Sequence, residues 1–505
     1  MTSGSIIVFE SLTKKKSFLG PHELFPVADA FPVRYWNVTL DSSSSRGPIH
    51  THLNLLNHQN WGLNAKVTQH QISLENIPAL STEAMPGDRF GLYPLVLARL
   101  EPVDRIDSRY ASWDSFATWY HRVFNEVAYP KGLPEPNSGF TKESLAETSQ
   151  PMLNRIIYRQ VYMSPTRGWV PLNGEEIWRR SYGDCKDMVS CTAHIYQDKG
   201  VRVYPTLASI GPGITWKDKD PVNPFFNHLI VAIPLTESLG FDAEVVANGK
   251  RFLLFDPTSR QTPFGKLHRG HLGGSVLICT EEGAQWADIP QHAVETSHIR
   301  LNVKGKVDSE NIFTGQLHIT EQGGEWSIRY LANSYSLDQL SEYIQAKLNL
   351  PANAWLSVTE AKTEDSITHV TASLRMRDFL FFEGERARIS TAFLPAPLPE
   401  LTQNGHPRRN PLSIPGIPDF QLAMDIALAT PIAPNKPAIV YAGKLGKYRY
   451  EASGGTSLKL SFSMSLEDMD YPKSRLKEGI QDVSTFSMNF NRDLWDMQDW
   501  HRQQP

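Results

Sequence analysis

Cys185 stands in the segment Tyr182-Gly183-Asp184-Cys185-Lys186-Asp187, directly ahead of a run in which Met188, Val189, Thr192, Ile195 and Tyr196 recur at helical spacing. Gly183 supplies a turn and Asp184 a helix N-cap, while Lys199-Gly200 closes the run. This places Cys185 in the first helical turn. The positive end of a helix stabilises a thiolate, lowers the thiol pKa and makes the sulfur a nucleophile near neutrality. A cysteine at a helix start is more often a small buried residue, so other groups must decide its role.

Two later segments supply such groups. Phe225-Phe226-Asn227-His228-Leu229-Ile230-Val231-Ala232-Ile233 reads as an apolar strand with one histidine near its start. Arg251-Phe252-Leu253-Leu254-Phe255-Asp256-Pro257-Thr258 reads as a second strand that closes on an acid. Taken singly, a strand histidine is usually a satisfied core or rim residue, and Asp-Pro-Thr is an ordinary turn signal. Paired antiparallel, the two strands bring Asp256 beside His228, and His228 toward Cys185. A thiolate, an imidazolium and a carboxylate that orients the ring form a nucleophilic acyl-transfer triad.

Gly-Asp-Cys-Lys-Asp at 183–187, Phe-Asn-His-Leu-Ile-Val at 226–231 and Asp-Pro-Thr at 256–258 resemble the transglutaminase-like superfamily of papain-like cysteine enzymes. More narrowly, they resemble a mainly bacterial family in which this core sits between two β-rich domains of unknown function. The likeness extends over most of residues 105–490. It takes in the Trp113 and Lys142 helices, the Leu267 to Thr280 tail, Arg408-Arg409-Asn410-Pro411-Leu412 and the strands from Tyr448 to Leu466. Residues 1–105 resemble only the later part of the family's leading domain.

The resemblance implies an α+β fold: a papain-like core whose cysteine-bearing helix packs on an antiparallel sheet. It assigns Cys185 as nucleophile, His228 as general base and acid, and Asp256 as the orienting carboxylate. The implied chemistry is attack on a carboxamide, loss of an amine, and transfer of the acyl group to water or another amine. The backbone N–H of Cys185 is the first oxyanion donor. Trp169 is the candidate for a second, with packing as its alternative role, and Asp184 is a candidate cleft residue. Tissue transglutaminases carry Gln before the cysteine and Trp after it. Asp184 and Lys186 stand there in this chain, which weighs against protein crosslinking. Lys186 and Asp187 form either a salt-bridged face or part of the cleft.

The elements that must position these groups follow from pattern. Phe116, Trp119, Tyr120, Val123, Phe124 and Val127 form one helical stripe within Trp113 to Val127. A second helix is expected over Lys142 to Tyr162, with Leu145, Leu153, Ile156, Ile157 and Val161 inward, and a third ends near Ile177-Trp178. Before them, Val33 to Leu40 reads as a strand and Asp41 to Gly47 as a serine-rich loop. After them, Leu301, Val303 and Val307 alternate, as do Leu458, Leu460, Phe462, Met464 and Leu466. One helix is expected there, opened by a Ser336/Gln339 capping box. Pro395 to Pro418 reads as a loop. The expected units are a shortened β-rich domain at 1–107, the catalytic core at 108–296 and a β-rich, sandwich-like domain at 297–505.

Composition narrows the function. The 505 residues carry 50 Lys+Arg against 54 Asp+Glu, a formal net charge of -4, which excludes a generally nucleic-acid-coating surface. Three cysteines exclude a disulfide-dense scaffold and a multi-thiolate zinc site. Cys191 and Cys279 read as core residues. Gly211-Pro212-Gly213 is a loop and not a dinucleotide fingerprint. No calcium-loop pattern occurs, so neither metal nor cofactor is expected. No run reaches the roughly 18 apolar residues of a spanning helix.

Lys14 to Lys16 follow the short apolar run Ile6 to Phe9, the reverse of a secretory signal. The chain as written is thus expected in the cytoplasm, with an exported mature or truncated form as the alternative. The expected partner is a peptide or protein substrate, with the cell envelope as one setting. Three activities stay open: acyl transfer or amide hydrolysis, peptide cleavage by the same triad, and a non-catalytic binding scaffold.

Overall fold

Alternating apolar residues make sheets where the periodicity is two, and the computed structural model shows how these sheets are layered. It describes residues 22–29, 31–41, 49–79, 93–102, 107–130, 132–134, 140–160, 168–210, 226–260, 262–324, 326–364, 366–390, 392–395, 398, 401, 412–414, 416, 419–467 and 469–503. The basic run after Ile6 to Phe9, most of the serine-rich loop, Val161, Gly211-Pro212-Gly213 and Arg408 to Pro411 lie outside the described residues.

The leading region holds two three-stranded sheets. One consists of His22–Pro26, Leu95–Pro102 and Ile49–Leu56, the other of Val33–Thr39, Gln71–Ile77 and Ala65–Val67. Leu53, Leu55, Val96 and Ala98 of the first sheet share a core with Ile72 and Leu74 of the second.

Among the described residues, four α-helices and a six-stranded sheet follow. The helices are α1 (Trp113–Ala128), α2 (Lys142–Arg155), α3 (Gly174–Arg180) and α4 (Cys185–Gln197). The strands are β1 (Tyr204–Ala208), β2 (His228–Leu235), β3 (Glu244–Ala247), β4 (Lys250–Phe255), β5 (Ser275–Thr280) and β6 (Gly283–Asp288). They form one antiparallel sheet in the order β3-β4-β2-β1-β5-β6. Helix α1 lies on β5 and β6, and α4 lies on β2. The aromatic stripe of α1 does what its spacing predicts: Phe116, Tyr120 and Phe124 are buried in the shared core. Helix α3 rests directly on α4. A Cβ on Gly174 would stand 2.4 Å from the Cβ of His194 and 2.5 Å from the carbonyl oxygen of Ser190, so only glycine admits this approach.

Helix α2 stops at Arg155, seven residues short of the expected end. The β-forming Ile157–Tyr158 leaves the helix to pair in parallel with Tyr182–Gly183, just ahead of Cys185. Ile157 is consequently exposed instead of inward.

The trailing region centres on an 11-stranded sheet. Its main path runs Ala354–Glu364, Ile367–Arg377, Ile312–Gln322, His298–Val307, Asp419–Pro434, Gly455–Leu466, Gly446–Ser453 and Ala438–Gly443. His298–Val307 and Asp419–Pro434 pair in parallel and join two antiparallel halves. That junction joins the strands of the β-rich trailing region into one hydrogen-bonded sheet.

Among the described residues three helices, not one, accompany it: α5 (Ile328–Ser334), α6 (Leu337–Lys347) and α7 (Leu476–Gln498). The Ser336/Gln339 capping box of α6 is formed in both directions. Helix α7 buries Val483, Phe486, Phe490 and Met497, a 3.6-residue periodicity that the strand pattern before it obscured. The fold is thus mixed α+β. Among the described residues, no helix is long and apolar enough to cross a membrane.

Candidate active site

Cys185 opens α4 where the motif places it. The Asp184 side chain accepts the backbone N–H of Asp187 at 3.2 Å, capping the helix. The thiol is half-buried. Asp184 itself is buried, and its carboxylate also meets the buried ammonium of Lys186. Burial, then the neighbouring Asp187, pushes the Asp184 pKa up; the Lys186 contact opposes both. The pair matters to the sulfur, since an unpaired carboxylate beside it would disfavour a thiolate. Lys186 therefore pairs with Asp184 inside the protein, and not with Asp187 on a solvated face. Asp187 instead accepts the backbone N–H of Leu172 at 2.8 Å, tying the loop before α3 to the start of α4.

His228 opens β2. In the pairing of β2 with β4, Val231 stands opposite Phe255. The first residue of one strand and the residues just after the other therefore converge, bringing His228 to Asp256 and Thr258. His228 Nε2 lies 3.0 Å from Asp256 Oδ2. Cys185 stands close enough to the same ring to raise its pKa. With Nε2 taken by Asp256, Nδ1 is the nitrogen left to face the sulfur.

Asp256 is fully enclosed and holds four donors. Its Oδ1 accepts the backbone N–H of Thr258 at 2.9 Å and the Thr258 hydroxyl at 2.7 Å. This is the Asx-type turn that Asp-Pro-Thr favours. Its Oδ2 accepts from His228 and also from His271 Nε2, at 3.1 Å. A carboxylate has about four lone-pair sites, and all are used. A carboxylate only accepts, so the shared Oδ2 assigns a hydrogen to Nε2 of each ring.

The charges follow from this arrangement. Burial alone would lower the His228 pKa, but the charge and hydrogen bond of Asp256, then the contact with Cys185, raise it to about 10. Burial would raise the Asp256 pKa, yet His228 first and His271 second hold it well below the usual carboxylate range. By contrast, burial pushes the Cys191 thiol up to about 12 and raises Cys279 as well. Both are core residues, as their positions in the sequence indicated.

Trp169 packs edge-on against Phe116 and Tyr120, at ring separations of 5.6 and 6.0 Å. Its side chain is hydrogen-bonded to Tyr110, and its carbonyl accepts the Tyr120 hydroxyl at 3.2 Å.

Three contributors escape the sequence pattern. His271 follows the site's acid by fifteen residues, in His268-Arg269-Gly270-His271, and its approach depends on the tertiary path of that loop. Thr258 belongs to the recognised motif, but its hydroxyl bond to Asp256 is a fact of the turn's geometry. Tyr158 is half-exposed. Burial first, then the negative charges of Cys185, Asp184 and Asp256, pushes its pKa up to about 12. A cleft of about 700 Å³ opens beside it and is lined by Tyr158, Thr258 and Arg260 among others.

No protein-family model and no curated protein matches this chain. Solved structures do show a likeness. One is a "putative protease" from Parabacteroides distasonis ATCC 8503, at 12% identity and a TM-score of 0.47, covering 97% of this chain and 76% of that one. Another is a "putative cysteine protease" from Cytophaga hutchinsonii, at 9% identity and a TM-score of 0.16, covering 47% of this chain and 74% of that one.

His228, Asp256 and His271 also offer three ligand atoms within 4.8 Å of one another, the kind of set that could hold a metal ion. Asp256 Oδ2 is shared between the two rings in this set.

Because folding raises the His228 pKa above its ordinary 6.5, the stability it contributes is complete below that value and is lost as pH rises through about 10. Asp256 has the opposite sign. Its contribution is present above its ordinary 3.8 and is lost as pH falls through the depressed folded value. In NMR titrations of ring-labelled protein, His228 should titrate near pH 10 in the wild type, and Asp256→Asn should bring it down toward or below 6.5. An unmoved midpoint would contradict the assigned coupling. His271→Ala removes one of the four donors to Asp256, so the acid loss of stability, followed by urea midpoints, should begin at higher pH than in the wild type.

Proposed function

We propose that this chain is a cysteine enzyme of the transglutaminase-like kind, acting on amides by acyl transfer to water or an amine. The observation that carries the reading is the single His228 ring bonded to the Asp256 carboxylate and close enough to Cys185 for the two to influence each other's charge. The helix start behind Cys185 and the elevated His228 pKa both favour a thiolate–imidazolium pair. A papain-like layout, with the cysteine helix on an antiparallel sheet, is the fold this reading entails. The separate apolar cores, one drawn mainly from residues 110–294 and another from 299–500, support units bounded near 107 and 296.

The Cys185 sulfur attacks the amide carbon, forming the C–S bond and placing the electron pair on oxygen. The backbone N–H of Cys185, in the first helical turn and free of an intrahelical partner, receives that oxyanion. Imidazolium His228 then gives its Nδ1 proton to the nitrogen as the C–N bond breaks, and the amine leaves. Water or a second amine next attacks the thioester, His228 Nδ1 takes its proton, and the C–S bond breaks to restore the thiolate. Asp256 stays ionised throughout and holds the ring in the Nε2–H form. Asp184 and Lys186, neutralising each other, keep the local charge balanced as the sulfur cycles.

Peptide cleavage uses the same steps on a backbone amide, and product mass separates the activities. Deamidation adds about one mass unit, amine incorporation adds the amine less ammonia, and cleavage splits the chain. Incubation with peptide mixtures and mass analysis should give one of these products from the wild type and none from Cys185→Ala, whose melting temperature should be near the parent's. His228→Ala should lower the rate by several orders of magnitude. Full turnover by Cys185→Ala would overturn the proposal, and selective partner capture without product would favour a binding scaffold.

A further inference from the structure

The cleft beside Tyr158 and Thr258 is lined by the core and by the start of the trailing region, where Gly324, Ser327, Arg329 and Tyr330 face it. Among the described residues lining it there is no aspartate or glutamate. It has three potentially cationic side chains, and two are accounted for. Arg329 is buried and forms a forked pair with Glu295, at 3.2 and 2.9 Å. Burial, then the neighbouring His271, lowers the His268 pKa, so that ring is neutral near neutrality.

Arg260 is different. Its Nε donates to the carbonyl oxygen of Leu153 at 2.5 Å, and its Nη2 donates to that of Asn154 at 2.9 Å. Both carbonyls belong to the last turn of α2, a helix end that favours a cation. These contacts use the side-on pair of the guanidinium. The end-on pair, one N–H from each terminal nitrogen, remains, in a fixed plane and with no carboxylate among the described residues to meet it. Arg260 follows Thr258 by two residues, so their Cα atoms are at most about 7 Å apart. Thr258 in turn touches Asp256. The cleft that Arg260 lines also carries Tyr158, which feels the charges of Cys185, Asp184 and Asp256, so the cation shares a cleft wall with a residue next to the site.

We infer that Arg260 is a specificity residue that receives a carboxylate of the substrate, so that the enzyme selects amides with an acidic group near the scissile bond. The carboxylate docks end-on across both terminal nitrogens, while the half-exposed Tyr158 and the exposed Tyr330 supply apolar walls for the chain carrying it. The inference rests on the cysteine-enzyme reading for the reaction, but binding alone can test it.

The test uses capped peptides identical except for Glu, Gln or Lys next to the target amide, each with a free or an amidated C-terminus. These arms separate a side-chain carboxylate from a terminal one. Turnover is read by product mass in the wild type, Arg260→Gln and Arg260→Lys. Binding is read by calorimetry in the Cys185→Ala background. The expected result is a preference of about tenfold or more in kcat/KM for one carboxylate-bearing peptide over its neutral partner. Arg260→Gln should collapse that ratio to about one through KM, and Arg260→Lys should retain part of it. Turnover with no acid preference, or with a preference that survives Arg260→Gln, would overturn the inference and leave the cysteine reading standing. Acid-selective binding that Arg260→Gln abolishes, with no product from any peptide, would support the carboxylate site and overturn the enzyme reading. Neither binding nor turnover of any peptide would overturn both.

Discussion

A carboxylate sealed from water must be met by donors, and Asp256 is the constraint on which the site depends. An isolated buried charge would cost several kcal/mol or neutralise itself. Here the Thr258 turn supplies two donors and the His228 and His271 rings supply two more. The carboxylate stays ionised because all four are present. Its charge then sets the tautomer and basicity of His228. The register of β2 against β4 and the loop carrying His271 can be understood as the means of delivering those donors to one point.

The cysteine side obeys a parallel rule. Asp184 caps α4 and so fixes where the helix begins, a contribution of about 1 kcal/mol for a typical N-cap. Capping in a buried position brings a second enclosed charge close to the thiol. Lys186 neutralises it, and breaking such a buried pair typically costs about 3–5 kcal/mol. The two residues that flank Cys185 thus form one ion pair, and its two members are explicable only together. The contact of Asp187 with Leu172 and the close approach at Gly174 then hold α4 against its neighbours.

Much of this was legible in the chain because the signals are local. A turn glycine, a capping acid and a helical stripe locate Cys185, and two apolar strands locate His228 and Asp256. The missing parts are those that depend on contacts across the fold. Ile156-Ile157-Tyr158 continues an apolar pattern, so the helix at Lys142 reads too long; only its pairing with Tyr182–Gly183 reveals a strand. The partner of Lys186 lies two residues back, a spacing no regular helix face predicts. It arises because Asp184 sits outside the helix and folds its side chain over the first turn. His271 and Arg260 reach the site through loop paths that carry no periodicity. Helix α7 carries a readable stripe in Val483, Phe486 and Phe490, but it follows directly on strong strand signals.

The central claim is that Cys185 and His228 form a thiolate–imidazolium pair. Its most direct test is the pH dependence of alkylation, resolved for each cysteine by peptide mass, in the wild type and His228→Ala. The account predicts rapid labelling of Cys185 well below about pH 8.5, the range of a free thiol. It predicts slower labelling in the variant, and protection of the buried Cys191 and Cys279 in both. Labelling of Cys185 with the pH dependence of an ordinary thiol, unchanged by loss of His228, would contradict it.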